Sequence, residues 1–229
     1  MSGLFNHLQA DSTRPTQFHE LIQELANEHR LLRHYTQNID CLEKSLPRLE
    51  ARTVRLHGRV DQLRCTQCDH MSQFEPPSPG AGLCPCSNCL ERNVEQISKG
   101  LCKRTIGLLR SNVLLYDKPD LDGDTILESL LDDVEEYPDL VLVAGMSTVS
   151  ENILSLVQAA RSLGGKIFWV NKEELLSKLK PLFNYVYQGD CDVIAHLYNL
   201  EPRPHRLTYD RLRDYDDRLT DVLVDHVRF

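Results

Sequence analysis

The chain has 229 residues, and its 41% hydrophobic content can fill one sizeable core, or a core with a small insert. Its 34 acidic residues outnumber 26 basic ones, for a formal net charge of -8. That balance argues against a general affinity for nucleic-acid phosphates and leaves a basic peptide or protein as an acceptable partner.

The opening MSGLFNHLQADSTRP has no basic segment leading into an apolar run. No stretch approaches the roughly 18 apolar residues of a membrane span, so a soluble intracellular protein is expected. From Pro15 onward, Phe18, Leu21, Ile22 and Leu25 fall at helical spacing and predict one apolar helix face, capped by Thr13 or Thr16. RLLRHYTQ suits a short strand that runs into the turn-prone QNID. Past Gly58 the cysteine-rich stretch from Cys65 to Cys89 contains EPPSPGAG and cannot hold itself together by burial alone.

Regular patterning returns with NVLLY, read as a strand, and DTILESLLDDVEEY, read as a helix burying Ile126, Leu127, Leu130, Leu131 and Val134. DLVLVAG is a continuous apolar run of buried-strand type. It is followed by a helix within MSTVSENILSLVQAARSLGG and a second strand, KIFWVN, together a right-handed βαβ unit of a parallel sheet. A last strand near YVY and a closing helix follow. The tail from Glu201, with Leu207, Leu212, Leu219, Val222 and Leu223, reads as a partly amphipathic helix or a solvated extension.

Eight cysteines without a secretion signal point to thiols or a metal rather than disulfides. CTQC and CSNC place Cys65, Cys68, Cys86 and Cys89 in the two-knuckle pattern of a four-thiolate zinc site, with Cys84 as the alternate in the second knuckle. Four thiolates leave no open position, so such a zinc is structural. Cys41, Cys102 and Cys191 are expected to be packed and unreactive.

Parallel sheets bind ligands beyond the carboxyl ends of their strands. There, GMSTVS offers Gly145 for close backbone approach and Ser147, Thr148 and Ser150 for capping or anion contact, while Asn171 and the GDC at 189–191 reach the same edge. No G-x-G-x-x-G occurs. His57, in LHG, is the candidate general base, because a neutral imidazole near pH 7 can take and return a proton.

Taken in order, YTQNIDCLE, LHG, the paired knuckles, LRSNVLLY, AGMS, VNKE and GDCD resemble the sirtuins, the NAD-dependent protein lysine deacylases, and within them the fungal histone-deacetylating branch. The resemblance covers about residues 15–200. It implies an α/β fold: a Rossmann-like parallel sheet, N-terminally truncated, with a small inserted zinc-binding module. The parts would be 1–58 and 104–200 for the Rossmann-like domain, 59–103 for the zinc module and 201–229 for the charged tail.

The resemblance further implies NAD as cofactor, acetyl-lysine peptides such as histone tails as partners, and a nuclear location, with the cytoplasm as the alternative and neither nucleic acid nor membrane as a direct partner. It places Gln37, Asn38, Ile39 and Asp40 around the nicotinamide ribose and His57 as the base. Gly145, Met146 and Ser147 would lie near the NAD ribose and phosphates, Asn171, Lys172 and Glu173 at the adenosine ribose, and Cys191 at the adenine.

Two departures accompany it. The family's Gly-Ala-Gly-x-Ser loop and Ile-Pro-Asp-Phe-Arg segment have no counterpart ahead of Gln37, and Tyr116, Asp117 and Lys118 stand where Phe/Tyr-Gly-Glu is usual. These set a second expectation beside the deacetylase: a weakly active or inactive sirtuin-like, zinc-containing binding or regulatory protein.

Overall fold

The structure, a computed structural model, describes residues 14–73, 84–114, 123–146 and 151–200. The chain divides into two compact units. One comprises His34–Lys44 and the described parts of Thr53–Leu121; the other comprises Arg14–Arg33, Ser45–Arg52 and the described parts of Asp122–Phe229.

In the first unit a short parallel pair joins β1 (His34–Thr36) to β2 (Thr53–Arg55). Strand β3 (Gly58–Cys65) lies antiparallel between β4 (Met71–Gln73) and β5 (Leu109–Val113), with an irregularity between Arg59 and Leu63 in its pairing with β5. Residues 74–83, with EPPSPGAG, lie outside the described residues; the two cysteine knuckles on either side are tied to regular elements. The first knuckle closes the end of β3, which is held by ladder bonds from β5, more than 40 residues away in sequence. The strand read at NVLLY runs earlier, over Leu109–Val113, and Tyr116, Asp117 and Lys118 lie outside the described residues.

The second unit contains α1 (Gln17–Asn27) and the short α2 (Pro47–Glu50). Helix α1 buries Leu21, Ile22 and Ala26, and is capped by Thr16, whose backbone N–H and hydroxyl meet the His19 Nδ1 at 3.2 and 3.1 Å. The Leu49 N–H of α2 donates to the Gln23 amide oxygen of α1 at 2.7 Å.

Three strands, β6 (Leu140–Ala144), β7 (Lys166–Asn171) and β8 (Tyr185–Gln188), form a parallel sheet in that order. Helix α5 (Glu151–Ser162) connects β6 to β7 and turns Ile153, Val157 and Ala160 into the core at i, i+4 and i+7. Central β7 is the most deeply buried strand of this sheet, with Ile167, Trp169 and Val170 buried and Trp169 edge-on to Phe183, ring centroids 5.3 Å apart. By contrast Leu140, the first residue of β6, is exposed.

Helix α4 (Gly123–Glu135) departs from its expected face. Ile126 and Leu130 are buried, but Leu127 and Leu131 are 52% and 58% exposed, and the third buried position belongs to Asp133. Arg33 explains this: its Nε and Nη2 donate to the two Asp133 carboxylate oxygens at 3.1 and 3.0 Å, a forked pair that lets a charge occupy a core position. Helix α6 (Cys191–Leu200) closes the unit, and the Phe18 N–H donates to Asp192 at 2.9 Å. The tail from Glu201 lies outside the described residues, and no helix among the described residues is long and apolar enough to cross a membrane.

Candidate functional site

Cys65 ends β3, Cys68 follows in the next turn, and Cys86 and Cys89 open α3 (Ser87–Ser98) as its N-cap and first-turn residues. The four Sγ atoms lie within 4.8 Å of one another. Tetrahedral zinc with sulfurs at roughly 2.3 Å requires S···S edges of about 3.8 Å. The Cys65–Cys89 and Cys68–Cys86 separations are 3.6 and 3.8 Å, so the donor set fits a closed four-thiolate site.

Burial opposes a thiolate at Cys65, but the backbone N–H groups of Gln67 and Cys68 and the adjoining thiols outweigh it and bring it down to about 7. At Cys89 the Gly107 backbone favours the thiolate, yet burial and the other three sulfurs prevail and push it up to about 12. A cation at the centre would offset that crowding. Cys84 is exposed and donates to its neighbour's carbonyl at Pro85, apart from the four. Cys102 is exposed as well, against the expectation of a packed thiol, because 101–105 is irregular surface chain with no apolar face to cover it.

Gly107 is a residue that motif reading missed. A Cβ there would run into the Cys65 Sγ, so only glycine lets the chain leading into β5 pass the cluster.

The second constellation joins the end of β1 to the start of β3. The Thr36 carbonyl accepts from the Leu56 N–H at 2.9 Å, and the His57 carbonyl accepts from the Leu114 N–H at 3.0 Å, which fixes the backbone on both sides of LHG. Gly58 follows with φ +76°, and a Cβ there would strike the Asn112 carbonyl oxygen across the β3–β5 ladder.

The half-buried His57 ring places Nδ1 3.2 Å from the Gln37 carbonyl oxygen. A carbonyl can only accept, so in the neutral ring Nδ1 carries the hydrogen and Nε2 keeps its lone pair. The rest of QNID is held by backbone. The Asn38 N–H donates to Thr36 Oγ1 at 3.1 Å, the Ile39 carbonyl accepts from the Val60 N–H at 3.1 Å, and Asp40 Oδ1 accepts from the Leu42 N–H at 3.3 Å.

Two charged groupings beside this segment were not legible as motifs. The Glu43 carboxylate meets Arg55 Nη2 at 3.2 Å, with both side chains buried. Asp61 on β3 accepts from Lys44 Nζ at 2.7 Å, from the Arg59 guanidinium through Nε and Nη2, and from the Cys41 thiol at 3.3 Å. Partial burial works against the Asp61 carboxylate, but the bonds from Arg59, Lys44 and Cys41 outweigh it and hold its pKa far below the usual range. The signal for both was a charge inside a strand pattern, Arg55 in TVR and Asp61 in RVD.

In the second unit, the carboxyl ends of β6, β7 and β8 gather a further set. Gly145 has φ +63°, its N–H donates to the Val170 carbonyl at 3.0 Å, and its open side faces the Cys191 Sγ. Asn171 is 7% exposed; its Nδ2 donates to the Met146 carbonyl, which leaves the amide oxygen as an acceptor. Lys172 pairs with Asp190 at 2.8 Å, and Glu173 is exposed beside it. Burial, then Asp190 and Asp192, push the Cys191 thiol up, so it stays protonated at neutral pH. Ser147, Thr148 and Ser150 lie outside the described residues.

Polar groups and a left-handed glycine at the carboxyl ends of a parallel sheet mark the Rossmann-like class of nucleotide-binding proteins, here in a chain that also carries a four-cysteine cluster able to hold a metal ion. Comparison with known proteins narrows that class. Residues 2–151 match the model described as Sir2 family, and the chain belongs to that family.

The NAD-dependent protein deacetylase hst4 of Emericella nidulans is 30% identical over 213 residues, covering 84% of this chain and 36% of the relative. The NAD-dependent histone deacetylase HST4 of Saccharomyces cerevisiae is 30% identical over 232 residues, covering 86% of this chain and 62% of the relative. The chain thus spans less than two thirds of either protein. Among solved structures, a Sir2 homologue in complex with NAD is 26% identical with a TM-score of 0.62, covering 80% of this chain and 63% of that one. A Sir2 structure with a p53 peptide and NAD+, 22% identical with a TM-score of 0.59 and covering 84% and 71%, shares the fold.

Proposed function

We propose that this chain is a sirtuin-type NAD-dependent protein deacetylase that removes acetyl groups from lysines of histone-like proteins, transferring them to ADP-ribose and releasing nicotinamide. The observation that carries the reading is the His57 ring: Nδ1 is committed to the Gln37 carbonyl, so Nε2 is the nitrogen available as a base. Bound NAD would supply a ribose carbon from which nicotinamide departs, and a ribose hydroxyl.

His57 Nε2 takes the proton of that hydroxyl, while Gln37, Asn38, Ile39 and Asp40 line the nicotinamide-ribose side. Gly145, Met146 and Ser147 attend the ribose and phosphates; the Asn171 amide oxygen accepts from an adenosine-ribose hydroxyl, with Lys172 and Glu173 beside it and Cys191 at the adenine. Zinc on Cys65, Cys68, Cys86 and Cys89 serves structure, within a module spanning 59–103. The relatives' names as histone deacetylases support acetylated histone tails as substrate and the nucleus as the place of action.

The test is nicotinamide release from NAD on mixing the purified chain with an acetyl-lysine peptide, beside a His57→Ala control. Release that depends on the peptide and vanishes in the control is expected. Failure to bind NAD at millimolar concentration overturns the reading.

A further inference from the structure

The segment that leaves β1 is tied at its start by the Gln37 carbonyl to His57 and at its centre by the Ile39 carbonyl to the Val60 N–H of β3. Its far end has a different device. Cys41 sits at φ +63°, left-handed backbone that residues other than glycine or asparagine seldom adopt. The side chain is what holds it there: the thiol lies 3.4 Å from the Ile39 carbonyl and 3.3 Å from Asp61 Oδ1, within reach of both acceptors. Asp61 in turn is fixed as an anion by Lys44, from the 3-10 turn Leu42–Ser45 that follows the segment, and by Arg59 of its own strand.

From this geometry we infer that Asp61 is a positioning residue: its carboxylate clamps the end of the Gln37–Cys41 segment onto β3 and so holds Ile39 and Asp40 where the nicotinamide-ribose side needs them. The inference rests on the deacetylase reading. Asp61 touches neither substrate nor cofactor on this account and acts through Cys41. Without the carboxylate, Lys44 and Arg59 lose the anion that they share. The Cys41 thiol then loses its acceptor on the strand, and the left-handed turn relaxes toward conformations that a cysteine prefers.

The test uses the full chain with Asp61→Asn, Asp61→Ala, Cys41→Gly and the double variant Asp61→Ala/Cys41→Gly, each checked for a native circular-dichroism spectrum. Two readouts are followed: KM for NAD against KM for the acetyl-lysine peptide, and the alkylation rate of Cys41 by peptide mapping. Asp61→Ala is expected to raise KM for NAD about tenfold with little change in peptide KM, a difference of about 1.4 kcal/mol. It should also expose Cys41 to alkylation.

Because glycine adopts φ +63° freely, Cys41→Gly is expected to rescue most of that loss in the double variant. Asp61→Asn, which keeps the shape, should fall between wild type and Asp61→Ala. A folded Asp61→Ala variant with wild-type NAD KM and wild-type Cys41 reactivity overturns the inference while leaving the deacetylase reading standing. A double variant no better than Asp61→Ala also overturns it, since the clamp would then not act through Cys41. A wild-type chain that binds no NAD instead removes the reading underneath, with Cys41 alkylation still reporting whether Asp61 holds the turn.

Discussion

Arg55 closes over Glu43 with Nη2 3.2 Å from Oε2, the glutamate side chain only 1% exposed and its other carboxylate oxygen without a hydrogen-bond partner. A buried pair of this kind is stabilising chiefly in the sense that neither member tolerates loss of the other. Arg55→Met is expected to destabilise the protein by about 3 kcal/mol in chemical denaturation. The joint replacement Glu43→Leu with Arg55→Met should recover most of the difference.

Gly58 gives a sharper backbone test. Its φ of +76° and the approach of the Asn112 carbonyl oxygen leave no room for a methyl group. Gly58→Ala should cost roughly 2 kcal/mol or more, because strain and a clash with main chain add. An alanine variant as stable as wild type would mean that β3 and β5 pair differently in solution.

The metal assignment separates cleanly by residue. Zinc analysis after exhaustive dialysis is expected to give about one ion per chain for wild type and Cys84→Ser, and far less for Cys86→Ser. Retention of zinc by Cys86→Ser with its loss from Cys84→Ser would reverse the assignment.

Acid sensitivity follows from Asp61. Its pKa is lowered in the folded protein, so its stabilising contribution is fully present above the unfolded value of about 3.9 and fades as pH falls through the folded one. The stability gap between wild type and Asp61→Asn should therefore be flat across neutral pH and shrink only below about pH 4. A gap that instead closes between pH 6 and 8 would point to a histidine.

For His57, the hydrogen bond to Gln37 makes the tautomer a prediction. His57→Ala should lower nicotinamide release by about a hundredfold or more. In the wild type, nitrogen-15 shifts should show the hydrogen on Nδ1; a neutral ring protonated on Nε2 would disagree with the structure.

The elements whose partners lie close in sequence were legible: the α1 face, the β6–α5–β7 unit and the C-x-x-C knuckles all follow from local period or spacing. What local pattern could not carry was a partner far along the chain. Asp133 lies in the core of its unit because Arg33 reaches it from 100 positions away, and that displaced Leu127 and Leu131 to the surface. Helix α3 was hidden by its own chemistry, since Leu90, Val94 and Ile97 stay exposed and its order comes from cysteines rather than burial. QNID and the histidine of LHG stood out by residue type and took their expected roles from resemblance, whereas the Cys41–Asp61 tie and Gly107 needed coordinates, because a left-handed cysteine and an obligatory gap leave no mark in residue type.

Strand β3 begins at Gly58, next to the proposed base, and ends at Cys65, a proposed metal ligand, roughly 23 Å apart along one extended segment. That continuity makes the far sulfur cluster an anchor for the near end of the strand. A preparation short of zinc would then hold a mixture of molecules with aligned and misaligned histidines, and titrating the metal would count the competent fraction before any turnover is measured.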